Sequence, residues 1–212
     1  MKTFLLIALS GLLAACAGKT SPAWQSNAHV AINNHLAAYL EGRERVATQE
    51  LLLARREVAR TGDATQMARV ELSACAAQIA SLAATDCPAF TPLASDAAPP
   101  EKAYAAYLAG KTAGLDGSLL PAAQGQSLKG NPALGSIADP LSRLVAAAVA
   151  FRSGRLPPEG IRVAIDTAAG EGWRRPLLAW LAVDRDQRRA AGDIDGAEAA
   201  QRRIERIVSG GK

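Results

Sequence analysis

A chain of 212 residues is long enough for one domain or two small ones. Its apolar share is 49%, heavily alanine, with only 4% aromatics and no runs of valine, isoleucine and threonine; that excludes a sheet-dominated fold and favours helices packed at close range. A formal charge of +4, from 24 basic and 20 acidic residues, is a mild bias that gives weak grounds for anionic partners and none for nucleic acid.

The chain opens with Lys2, an apolar run from Phe4 to Leu9, then Ser10-Gly11 and Leu12-Leu13-Ala14-Ala15-Cys16. A charged start, an apolar middle and a small-residue end make an export signal over 1–15, too short for a confident membrane span. The closing Leu13-Ala14-Ala15-Cys16 resembles the lipobox of bacterial lipoproteins. The resemblance implies that Cys16 carries a diacylglyceryl group, that the signal is cut just before it, and that the new amino terminus is acylated. Each buried acyl methylene contributes about 0.8 kcal/mol, so two or more chains anchor stably. In that family an aspartate after the cysteine resembles an inner-membrane retention signal. Here Ala17 follows, which implies the outer membrane, periplasmic face. The alternative is a secreted chain cleaved at a nearby alanine, with Cys16 an ordinary residue.

Residues 16–26 read as a tether of small and polar residues, after which Ser26 or Asn27 can cap a first helix. Ala28, Ile32, Leu36, Tyr39 and Leu40 recur at helical spacing up to a turn at Gly42. Ala47, Leu51, Ala54 and Val58 form the stripe of a second helix, closed by Thr61-Gly62-Asp63. Ala68, Leu72, Cys75, Ile79 and Leu82 form a third, so 27–87 is predicted to be a three-helix unit. Seven of the eleven prolines fall between Pro88 and Pro140, and within this connector, 88–138, only Glu101 to Leu108 reads as a helix. Regularity returns at Asp139-Pro140, an N-cap and a proline preset for the first helical residue. Leu144, Val145 and Ala148, then Ile161 and Ile165, then Leu177 and Trp180, then Ala197 and Ile204 mark helical hairpins over 139–208. Residues 209–212 are a tail.

Gly42 precedes Ala47, Leu51 and Ala54 at the same offsets at which Gly192 precedes Ala197, Gln201 and Ile204; Gly62 precedes Ala68, Leu72 and Cys75 with a one-residue shift. This resembles the second half of a tetratricopeptide repeat, where glycine closes one helix and small residues let the next pack against it. The family's first-helix tryptophan, leucine and glycine fall on Leu181, Asp184 and Arg185, and no strict period of 34 runs through the chain. The fold class is therefore all-α, built of antiparallel helical hairpins, as a tetratricopeptide-like array or an irregular bundle.

The residues point to no cofactor and no metal. His29 and His35, the only histidines, lie on opposed sides of one helix and read as solvated. No Gly-x-Ser-x-Gly elbow or phosphate loop is present, and the carboxylates read as solvated beside arginines. Trp173-Arg174-Arg175, held in a turn before Pro176, is the candidate partner-binding patch, because Trp and Arg anchor interfaces. Its bland reading is a tryptophan that seals a hairpin end beside solvated arginines. With Cys16 lipidated in an oxidising compartment, Cys75 and Cys87 are the remaining pair and are expected to form a disulfide. Together these readings describe a lipid-anchored, non-catalytic periplasmic binding or assembly protein, with an envelope protein or peptide as partner. Lipoproteins of this general look include pilotins. An envelope enzyme acting on peptidoglycan, or a spacer between membrane and wall, are the alternatives.

Overall fold

A computed structural model describes residues 22–128 and 134–210. The signal expected over 1–15, the expected lipidation site Cys16, and Ala17 lie outside the described residues. Among the described residues nine α-helices follow in order: α1 (Ala23–Glu41), α2 (Glu44–Ala59), α3 (Ala64–Ala80), α4 (Pro99–Leu108), α5 (Ala122–Ser127), α6 (Pro140–Arg152), α7 (Pro158–Gly170), α8 (Arg174–Ala190) and α9 (Ile194–Ser209). Short 3-10 turns span Pro88–Leu93, Gly117–Leu119 and Leu134–Ser136. No strand occurs among the described residues, and the protein is all-α as its composition requires.

Local chemistry sets most of the helix ends. Asp63, Asp139 and Asp193 accept backbone N–H groups at the starts of α3, α6 and α9, at 2.8 Å from Thr65, 2.7 Å from Ser142 and 2.9 Å from Gly196. Gly42 closes α1 at φ 87°, a left-handed conformation that a side chain disfavours. The start of α1 differs from expectation. Pro22, at φ −53°, sets the helix going at Ala23, so Ser26 and Asn27 lie inside α1 rather than capping it, and Trp24 belongs to the first turn instead of the tether.

α3 is the hub. Ten of its 17 residues are buried, because the α1–α2 hairpin, α4 and α6 all pack on it. Alanine at positions 68, 74, 76, 77 and 80 leaves room for those close approaches. α6 is buried continuously from Leu144 to Ala150, and α7, α8 and α9 follow it in sequence. α8 also returns to α1, a chain-distant contact beyond the nearest-neighbour packing of a strict repeat. The small residues at the shared glycine offsets are buried: Ala47, Ala54, Ala68, Cys75 and Ala197. Trp180 of α8 is fully buried, donates from Nε1 to the Ala80 carbonyl at 3.1 Å, and meets Phe151 of α6 edge-on. One core thus unites the N-terminal unit with the C-terminal hairpins.

The connector contributes to that core. Phe90, Ala97, Leu120, Leu134 and Ile137 are buried in it beside Tyr107 and Leu108 of α4. Cys75 and Cys87 are joined by a disulfide with α-carbons 5.6 Å apart, which fastens the 3-10 turn at Pro88–Leu93 to α3. Two arginines satisfy carbonyls in loops and at a helix end that have no helical partner. Arg152 donates to Thr85 at 2.7 Å and to Leu108; Arg143 donates to Ile137 at 2.6 Å and to the Thr167 hydroxyl at 3.1 Å.

Candidate binding groove

Covered by α1 and α2 on one side and by α4 on another, α3 reaches solvent along Gln66, Arg69 and Ser73, spaced one helical turn apart. Two clefts flank this stripe. The first, of about 400 Å³, has Trp24, Gln25, His29 and Ile32 of α1 and Val58 of α2 as its wall. The second, of about 320 Å³, has Leu72, Pro100, Glu101 and Tyr104 with Leu119, Leu120 and Pro121. Arg69 and Ser73 line both clefts, so the two adjoin along α3 as a groove interrupted at these side chains.

Arg69 stands at the junction. Its Nε donates to Glu101 Oε1 at 2.7 Å, and its side chain remains 57% exposed. Glu101 is 7% exposed and its Oε2 is buried without a hydrogen-bond partner. The burial of a carboxylate is tolerable here because the guanidinium neutralises it. Ser73 donates to the Arg69 carbonyl at 2.8 Å. Burial pushes the Tyr104 phenol well above its ordinary range, with the neighbouring Tyr107 adding to the shift, so it is held as a neutral hydroxyl. His29 lies at the rim with Nε2 3.1 Å from the Asn33 amide. The lining offers aromatic and aliphatic walls, one cation, amides and hydroxyls. This chemistry suits recognition of a segment with apolar and polar parts.

The patch expected at Trp173, Arg174 and Arg175 is an internal seam. Because α8 packs back onto α1, the turn faces the Gly42 end of the α1–α2 hairpin. Trp173 is half-buried between the main core and the cluster around Tyr39 and Leu40. Arg175 donates from Nε to the Tyr39 carbonyl at 2.9 Å, pairs with Glu44, and lies 4.2 Å from the Tyr39 ring centroid. Arg174 is half-buried, with Nη2 3.4 Å from the Val208 carbonyl. The solvated reading of the arginines fails for the same reason.

His35 also departs from expectation. It is 4% exposed, and its Nδ1 donates to the Ala47 carbonyl at 2.8 Å, tying α1 to α2, while Nε2 is buried without a partner. Burial lowers its pKa, against the opposing effect of the Ala47 hydrogen bond. His29 alone is solvated. Nor are all carboxylates at the surface: Glu57, Glu71 and Glu101 are buried, and Glu71 receives both Nε and Nη2 of Arg55 at 2.7 Å. Among the described residues no group of three or more His, Cys, Asp or Glu side chains could hold a metal ion. A further cleft between α7, α8 and α9 sets Arg162, Arg188 and Arg203 against Asp166 and Asp184, acids and bases that largely offset one another.

The groove was not legible in the sequence because its walls on either side of α3 come from four separated stretches of chain, in α1, α2, α4 and 119–121. The one available signal was the polar stripe at 66, 69 and 73 on an otherwise alanine-rich helix. Comparison with protein-family models, curated proteins and solved structures finds no match.

Proposed function

We propose that this protein is a lipid-anchored periplasmic binding protein that holds a segment of another envelope protein without chemistry of its own, in a pilotin-like or assembly role. The observation that carries the binding part is the groove over α3, whose apolar walls and single guanidinium suit a polypeptide. The lipobox-like Leu13-Ala14-Ala15-Cys16 supports the anchor, with stable attachment following from more than one acyl chain. The groove begins at the first turn of α1, through Trp24 and Gln25. A tether of a few residues after Cys16 therefore keeps it within tens of ångströms of the bilayer at about 3.4 Å per extended residue.

The test has two arms. Labelled palmitate should mark the wild-type protein and not Cys16→Ser, whose precursor should remain uncut or appear in the soluble periplasm. A photo-crosslinking residue at Ser73 should capture an envelope polypeptide in cells. Turnover of peptidoglycan by the purified domain would replace this reading with an enzyme, and retention on peptidoglycan with no polypeptide cross-link would replace it with a spacer.

A further inference from the structure

We propose that the segment held in the groove presents a carboxylate between apolar side chains, and that Arg69 is the residue that reads it. This rests on the groove being a protein-binding site. Arg69 lies where the two clefts meet, with apolar surface on either side: Trp24, Ile32 and Val58 toward α1 and α2, Leu72, Leu119 and Pro121 toward α4. Its Nε is committed to Glu101, and its two Nη groups make no hydrogen bond among the described residues. Those donors form a planar edge suited to a carboxylate. No acidic residue lines the α1 side, and Glu101 on the α4 side is engaged through Nε, so an incoming carboxylate would meet the other edge of the guanidinium. A backbone carbonyl can accept one of these donors, whereas a carboxylate accepts two in parallel from the planar edge and with charge assistance.

The surroundings select a polypeptide. A lipid surface is bound by several cations on a flat or convex face, and the groove has one cation between apolar hollows. A glycan is read by hydroxyl-bonding groups along its length, and the cleft on the α4 side is walled chiefly by Leu72, Pro100, Leu119, Leu120 and Pro121.

The experiment uses the soluble chain and short synthetic peptides in which a single aspartate is stepped between two leucine pairs, each with an asparagine twin. Binding is read by fluorescence anisotropy. A charged hydrogen bond exceeds a neutral one by an amount equivalent to about tenfold in affinity. At one spacing the aspartate peptide should therefore bind about tenfold more tightly than its twin, and raised salt should reduce the advantage. Arg69→Gln alone would strand the buried Glu101, so the variant is the double Arg69→Gln, Glu101→Gln, which keeps a neutral hydrogen-bonding pair; circular dichroism confirms its fold. It should bind both twins equally. Persistence of the aspartate preference in the double variant, or equal binding of the twins by wild type, overturns the role of Arg69. If the twins bind equally and Ser73→Tyr blocks both, the carboxylate inference fails while the protein-binding reading stands. If no peptide binds and soluble muropeptides do, both fail.

Discussion

His35 is a polar residue inside an alanine-rich interface, and its environment fixes its charge. Nδ1 carries the proton given to the Ala47 carbonyl, so acid must place the second proton on Nε2, which is buried and has no acceptor. The folded-state pKa is therefore below the ordinary 6.5. Between the folded and unfolded values the unfolded chain binds more protons, so stability rises with pH in that window. The contribution is complete above about pH 6.5 and is lost as pH falls below it. Urea midpoints measured at neutral and mildly acidic pH should show this loss in wild type and a smaller one in His35→Gln. Equal losses would place the pH sensitivity elsewhere. One turn further along α1, Arg175→Ala removes a charged hydrogen bond and a contact with Tyr39, and should destabilise by about 2 kcal/mol. Arg174→Ala, whose one hydrogen bond spans 3.4 Å, should change stability by less than about 0.5 kcal/mol.

Among the elements, the turns and the disulfide make separable contributions. Gly42 has φ 87°, and an added Cβ would come no nearer than 3.9 Å to Arg174. Gly42→Ala therefore acts through backbone conformation and should cost about 1 kcal/mol. Gly170, the last residue of α7, has open space around its missing Cβ and no positive φ, so Gly170→Ala should stabilise by about 0.5 kcal/mol. The opposite signs, read by thermal unfolding, distinguish the two positions. The Cys75–Cys87 link closes a loop of sequence separation 12, for which loop-closure entropy gives about 3 kcal/mol. Replacing both cysteines by alanine, or reducing the wild type, should lower stability by about that amount, and mass spectrometry without reduction should recover the linked peptides. Two freely alkylated thiols in periplasmically expressed protein would rule the link out.

For the whole molecule the decisive feature is the shared core. α3, α6 and α8 meet through Ala80, Phe151 and Trp180, and the connector closes over them with Phe90, Leu120 and Ile137. Neither residues 27–87 nor residues 139–208 bury their apolar faces alone. The oxidised protein should unfold in one transition, with equal calorimetric and van't Hoff enthalpies. Two resolved transitions would mean that the halves are separate folding units.

The sequence by itself determined eight of the nine α-helices found among the described residues, because apolar spacing, caps and glycine turns act over a few residues; α5, Ala122–Ser127, is not legible there, since six residues with Gly125 among them carry no apolar stripe. It also pointed to the pair Cys75 and Cys87 by elimination. Only the tertiary structure decided where α8 lies. Its return onto α1 turned Trp173 and Arg175 from a candidate surface into a seam. The folding of connector residues 88–128 and 134–138 onto the core was equally hidden, since single buried residues separated by prolines and glycines have no period to read. The groove over α3 depended on both. Its polar stripe is local, but its walls are brought together only when residues near 24, 70, 100 and 120 pack around one helix, a condition set by contacts distant in the chain.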